Sequence, residues 1–376
     1  MKYIALFFAF CSVVGIAFGQ DYNYDNLEVD YKSHQSTNPT ETFTFKNLRL
    51  YPIRAKEVFL KHTQAIGKYT PLKEALNKKL VNITETEGAN NTTTPRNTNE
   101  PIQNTSNTDE IRQTDNQNVN ELNPPTQQRR RRDINPQQRI TGTSATVNTL
   151  FVENLSKDTV FLMAGEVVQG GKQDRVIAQD MILAPNSGQT ALPVFCVESG
   201  RWTYKAGEKD NFDKYYGGAS MKLRGVVDTK QNQSEVWSEV SRSNEKNKVN
   251  SKTSAYTVQA ASEEFQQNKK QYLTYFQDKF KNDGNVVGVI VVTGKRVVGC
   301  DMFASPTMFQ SQYTTLLDSY INEVVTDGEP VNISQTAVIN YMDNLLKEDA
   351  EQEKRIIEKG KVFKNANRKL HISTYN

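Results

Sequence analysis

Over residues 42–53, TFTFKNLRLYPI, apolar and polar side chains alternate with the period of two that marks a half-buried strand. AKEVFLKHTQA and TPLKEALNKK then carry helical spacing. The second is expected to take Thr70 as its cap and Pro71 at its first helical position, where a missing N–H costs nothing. KLVNITET follows as a strand. Five β-rich runs crowd the stretch up to Tyr204: ATVNTLFVEN, DTVFLMAG, DRVIAQDMILAP, TALPVFCVE and RWTY. The segments between them, NLSKD, GEVVQGGKQ, NSGQ and SG, all carry turn chemistry. The pattern predicts an antiparallel β-meander with one face packed inward. Beyond Tyr204 the signal weakens, then becomes helical, with Val258, Ala261, Phe265, Tyr272, Phe276 and Phe280 recurring on one face. NVVGVIVVTGKRVVGCDMF reads as a buried strand, a turn at Thr293-Gly294-Lys295 and a second strand. Ser305-Pro306 opens a further helix, another runs from about Ser334 to Lys359, and KLHISTY is a last strand.

Strands first, then helices around further strands, describe an α+β fold: a mostly antiparallel β-meander with C-terminal helices. A long insertion interrupts it. From Gly88 to Ala145 the chain has no Phe, Tyr or Trp and is dominated by Asn, Thr and Gln, so it cannot bury enough apolar surface to offset its ordering entropy. This stretch is expected to be disordered, with Arg129 to Arg132 as a solvated, protease-sensitive run. KLVNITET and ATVNTLFVEN flank it and could be sheet neighbours, because long surface loops add slowly to the closure cost. Residues 40–376 then form one domain with an excursion, preceded by a flexible segment over 20–39.

Composition narrows the setting. Hydrophobic residues make up 36% of the 376, and the formal net charge is only +3, which gives no reason to expect nucleic acid. MKYIALFFAFCSVVGIAFGQ has a lysine, an apolar run and a small-x-small site ending at Gly19, so residues 1–19 read as a signal peptide and the mature chain as exported, periplasmic or extracellular. Cys11 lacks the preceding small residue that a lipid-modification site wants. No later segment reaches the apolar length of a membrane span. Cys196 and Cys300 remain, either bridged as an export compartment permits or packed as buried thiols.

The stretch FLMAGEVVQGGKQDRVI invites comparison with a phosphate loop. Gly171 sets the lysine one position too far, Gln173 stands where a hydroxyl should be, and the following run is a strand rather than a helix. Gly165, Gly170 and Gly171 more simply permit left-handed or crowded backbone, or form an anion-binding nest. Glu166, Gln173 and Arg175 lie in or just after this loop, and Glu198, Arg201 and Trp202 in a later tight connection; turns at one end of a meander come together. The six could line one polar site, with arginines suited to carboxylate or phosphate and glutamates as acids or bases. Alternatively each arginine pairs with a glutamate to pin the loops. Cys196 with His371 admits a nucleophile–base reading, although Cys196 sits inside an apolar strand. Asp301, at a strand end, either faces a ligand or accepts backbone bonds at the start of the Pro306 helix. The three histidines have no paired spacing, so zinc would have to recruit carboxylates such as Glu166 or Asp301, and no metal site is expected.

NLRLYPI, LKEAL, GEVVQGGKQDR, CVESGRW, VVGCDMFASPTMF and LHIS, in that order, resemble the ARPP domain family, named for its association with ADP-ribosylglycohydrolases and rhodanese-like phosphatases. The resemblance covers residues 44–86 and 146–376. It implies no assigned activity or cofactor. The family usually has an aliphatic residue where this chain has Cys300, so the resemblance implies no Cys196–Cys300 bridge. The expectation is an exported module that binds a small anionic ligand or a protein partner through the GEVVQGGKQDR and CVESGRW loops. The alternative is a hydrolase of a nucleotide-like or phosphorylated substrate.

Overall fold

In the computed structural model, which describes residues 21–32, 35, 42–63, 66–85, 148–205, 207 and 209–376, the alternating run near the start becomes a hairpin. Strands β2 (Thr44–Phe45) and β3 (Leu48–Ala55) meet at a turn in which Lys46 takes a left-handed φ of 49°. With β1 (Leu27–Val29), β13 (Val286–Thr293), β14 (Arg296–Phe303), β15 (Gly360–Asn365) and β16 (Arg368–Tyr375) they make a seven-stranded antiparallel sheet, ordered β1-β3-β13-β14-β16-β15 with β2 beside β3. Every residue of β13 is buried, as a near-continuous apolar strand must be when both faces are covered. Val289 and Val291 enter one core, under α5 (Glu263–Phe276) and α6 (Pro306–Asp327). Ile290 and Val292 enter the other, with α1 (Glu57–Thr63), α7 (Gln335–Leu346) and α8 (Gln352–Lys359).

A six-stranded antiparallel sheet carries the two loops of interest. It joins β5 (Val81–Thr84), β6 (Thr149–Asn154), β8 (Glu166–Gln169), β9 (Arg175–Ile177), β11 (Thr190–Cys196) and β12 (Lys214–Gly218) in the order β12-β8-β9-β11-β6-β5. β5 and β6 pair with Val81 opposite Asn154, so the strands on either side of the polar insertion are neighbours. The remaining strands, β4 (Thr70–Pro71), β7 (Val160–Leu162) and β10 (Met181–Leu183), form a small sheet in which β4 and β7 run parallel.

Several local expectations change. The chain does not run as a simple meander: GEVVQ, read as a separator, is β8, because Val167 and Val168 are β-branched and fully buried. DRVIAQDMILAP splits at Ala178–Asp180 into β9 and β10, which belong to different sheets, and RWTY is not a strand. Thr70 caps nothing; it pairs with Val160 in β4, and α2 (Leu72–Asn77) starts after Pro71 without a side-chain cap. The last long helix breaks into α7 and α8, since Arg355 bonds the carbonyls of Asn344 and Lys347 and so satisfies the end of α7. The weak-signal region past Tyr204 supplies β12, α3 (Met221–Gly225), a π-helical turn over Val226–Lys230 and α4 (Gln233–Lys246). Ser305 caps α6 as expected, accepting from the Met308 N–H. The signal segment 1–19, Cys11, the insertion 88–145 and its arginines lie outside the described residues.

Candidate functional site

The GEVVQGGKQDR and CVESGRW loops meet, and they close on each other. Arg201 Nη2 lies 2.6 Å from Glu198 Oε2 and 3.4 Å from Asp174 Oδ1, while Nη1 donates to the carbonyls of Gly171 and Thr203, each at 2.8 Å. Gln173 Nε2 donates to the Glu198 carbonyl at 2.7 Å, and Arg175 Nη1 donates to the Gln173 carbonyl at 2.8 Å. Gly171, at φ +51°, turns the following Lys172 N–H onto Glu85 Oε1 at 2.8 Å, and Arg175 Nη2 lies 3.8 Å from the same oxygen. The nest expected for an external anion therefore holds a carboxylate of the chain itself. A Cβ at Gly171 would sit 2.6 Å from that oxygen, which is why glycine stands here. Burial pushes the Glu198 carboxyl up, but its bonds to Arg201 and neighbouring groups outweigh this and hold it below the usual range. Gln173, Arg175, Glu198 and Arg201 are all buried; Trp202 is 55% exposed, its ring 5.8 Å from the Lys172 ammonium.

Asp301 and His371, both singled out in the sequence, belong to a second cluster. Asp301 on β14 receives Arg224 of α3 in two parallel bonds, Nη2 to Oδ1 at 2.7 Å and Nη1 to Oδ2 at 3.1 Å, together with the Tyr320 hydroxyl of α6 at 2.8 Å. It does not serve the start of α6, because Ser305 already does. His371 on β16 places Nε2 3.2 Å from Asp301 Oδ1 and Nδ1 2.6 Å from Asp180 Oδ2, and its ring stacks on Phe303 at 4.2 Å. Ionised carboxylates only accept, so both ring nitrogens carry protons and the ring is an imidazolium. Burial alone would lower its pKa, but Asp180 and Asp301 prevail and raise it to about 9. Burial pushes Asp301 up, yet Arg224 and His371 hold it well below the usual carboxylate range. The result is a chain of alternating charge, Arg224–Asp301–His371–Asp180, drawn from separate elements and closed to water at its inner end.

Its outer end opens. Asp180, whose Oδ1 accepts the Ala164 N–H at 2.8 Å, lines a cavity of about 210 Å³ together with Asp228, Lys361, Ser373 and the apolar Val362 and Phe363. Asp228 is carried there by the π-helical turn, an irregularity that recurs at functional sites. Its Oδ2 accepts the hydroxyls of Tyr375 at 2.6 Å and Ser373 at 3.3 Å; its Oδ1 has no hydrogen-bond partner among the described residues, although the residue is only 3% exposed. Burial raises the Asp228 pKa to about 6. The Lys361 ammonium makes no ion pair among the described residues. Glu166 adjoins the chain but does not line the cavity: Oε2 accepts the Met163 N–H at 2.7 Å, Oε1 accepts the Tyr215 hydroxyl at 2.9 Å, and burial pushes its pKa up to about 8. Among the described residues no three His, Cys, Asp or Glu converge as a metal-binding group.

The family model of the ARG and Rhodanese-Phosphatase-superfamily-associated Protein domain, ARPP-1, matches residues 37–373. The chain belongs to this family. No curated protein and no solved structure matches it. The ARPP-1 match spans both loops and the charge chain, so the two clusters are parts of one family domain.

Within this ARPP-1 domain the sequence-predicted residues divide. Gln173, Arg175, Glu198 and Arg201 make the interlocked pair of loops, with Trp202 on their outer surface; Asp301 and His371 make the charge chain, with Glu166 beside it. Cys196 and Cys300 form no disulfide, because they sit on β11 and β14 of different sheets. Cys196 bonds Gln173 Oε1 at 3.1 Å, and burial raises its pKa, so it is not an activated nucleophile beside His371. Sequence reasoning missed Asp180, Arg224, Asp228 and Lys361. The available signal was Asp180 breaking an otherwise β-rich run, and the apolar-then-charged MKLRGVVDTK in the weak-signal region.

Proposed function

We propose that this ARPP-1 chain is a binding module and that its ligand is a small polar molecule held in the cavity between Asp180, Asp228 and Lys361. The observation that carries this reading is Asp228, a buried residue lining that cavity whose Oδ1 has no hydrogen-bond partner among the described residues. An acceptor left open to a cavity can take a hydrogen bond from a ligand donor, and a hydrogen bond to a charged group contributes about 1.5–3 kcal/mol. The interlock of Arg201 with Glu198 and Asp174 supports binding over hydrolysis, since the glutamate and arginine that hydrolysis would use are committed to each other. It also moves the expected ligand contact from the arginines to the cavity, and leaves exposed Trp202, with Lys172 over its ring, as the part of the loops suited to a protein partner. The apolar run over residues 1–19 supports export.

The test is a thermal-shift panel of small amines, polyols, organic acids and amino acids on wild type and Asp228→Asn. The reading expects at least one class to raise the wild-type Tm, with the shift lost in the variant. A flat panel, or a shift that Asp228→Asn leaves intact, overturns it.

A further inference from the structure

Resting on that cavity reading, we infer that the ligand is a small zwitterion of the α-amino-acid class, its ammonium taken by Asp228 and Asp180 and its carboxylate by Lys361. Three observations carry the inference. The cavity presents both signs of charge, and the two groups that could cancel, Asp228 Oδ1 and the Lys361 ammonium, do not pair with each other. Opposite charges sharing a small cavity without touching leave room for a molecule that meets both, each through a charge-assisted bond.

The second observation is that Asp180 is fixed as an acceptor. His371 bonds its Oδ2 at 2.6 Å, the Ala164 N–H bonds its Oδ1 at 2.8 Å, and behind His371 the Asp301–Arg224 pair anchors the ring. Each Asp180 oxygen keeps a lone pair beyond these bonds, so it can accept from an ammonium beside Asp228. A purely anionic ligand would face two carboxylates. A purely cationic one would leave Lys361 unanswered, and a neutral polyol would meet neither charge with its own.

Third, the size fits. A volume of about 210 Å³ lies below the roughly 300–1,000 Å³ of drug-sized sites and suits a small molecule. Val362, Phe363 and Ala164 offer an apolar wall to a short aliphatic side chain.

The experiment is calorimetric titration of the purified chain with glycine, L-alanine and L-serine, beside ethylamine, propionate and glycerol as probes carrying one charge or none. At least one amino acid is expected to bind, with ethylamine and propionate each weaker by about ten-fold or more, the worth of one lost charge-assisted bond. Lys361→Met, on a partly exposed strand position where folding tolerates change, is expected to weaken amino-acid binding about ten-fold while leaving ethylamine unaffected. Asp228→Asn is expected to weaken both. Ethylamine binding as tightly as the amino acids, or full amino-acid affinity in Lys361→Met, would overturn the zwitterion and leave the cavity reading standing. Binding by none of the six probes would overturn both.

Discussion

The two buried clusters are built from the same materials and end differently. In the loop pair, Arg201 meets two carboxylates and two carbonyls, Glu85 fills the glycine nest, and Gln173 bridges to Glu198. In the charge chain, Arg224, Asp301 and His371 answer one another, but the series runs outward to Asp180 and the cavity, where Asp228 and Lys361 make no ion pair among the described residues. Arginines and carboxylates in close array are therefore no guide to a site by themselves. The loop pair too keeps a buried nitrogen without a hydrogen-bond partner among the described residues, Arg175 Nε, so what separates a staple from a site is that the charge chain reaches a cavity.

The largest break is expected at Asp301. Asp301→Ala would leave Arg224 and His371 charged in a region where both are at most 2% exposed, with the Tyr320 hydroxyl stranded beside them. Removing one partner of a buried ion pair costs about 3–5 kcal/mol, and urea unfolding would measure it. A loss under 1 kcal/mol would mean that the chain carries little of the fold. Arg201→Ala should come next, at about 3 kcal/mol, because Glu198 and Asp174 are left facing each other. Measured below the lowered melting point, ligand affinity at the cavity should not change in Arg201→Ala. If it vanished instead, the loops would be part of the site and the contrast drawn above would collapse.

Much of the fold could be read in advance, because it follows from periodicity. β13 and β14 and the Ser305-capped α6 rest on local apolar spacing or turn chemistry, and the β5–β6 pairing on the two strands flanking the polar insertion. Strand membership was harder: β8 looks like a turn because glycines flank it, and its Val167 and Val168 reveal themselves only once β9 and β12 close over them. The site was less legible for the same physical reason. Asp301 and His371 could be picked out singly, but the partners that give them meaning come from distant elements, Asp180 lying 191 residues from His371 and Arg224 77 residues from Asp301. Glu85, which fills the nest, is 87 residues before Lys172. No local pattern encodes such pairings.

pH offers a smaller and more selective break. His371, raised from 6.5 to about 9, binds its proton more tightly folded than unfolded, so its stabilisation is complete below pH 6.5 and is lost as pH rises through about 9. Glu166, raised from 4.5 to about 8, pulls the same way over its own window, its burial penalising the ionised form. Stability should therefore fall between pH 6.5 and 9, by about 1–3 kcal/mol from His371. His371→Asn should flatten the upper part of that decline while keeping the part due to Glu166. Denaturant melts across this range check it, and a stability rising toward pH 9 would contradict the imidazolium between Asp180 and Asp301.

The smallest effect sharpens the comparison most. Trp202 stands on the closed cluster yet is 55% exposed, touched from one side by the Lys172 ammonium. A cation over an exposed ring contributes about 0.5–1 kcal/mol, and surface substitutions away from buried features fall within about 0.5 kcal/mol, so Trp202→Ala should shift the urea midpoint barely at all. The interlock beneath it does not depend on the indole, because every bond of Arg201 described above goes to Glu198, Asp174 or a backbone carbonyl. A large loss of stability would place Trp202 in the staple. A change confined to association with a partner, at unchanged stability and unchanged cavity affinity, would give the loops an outward role of their own, with the closed polar network serving to hold the indole in place.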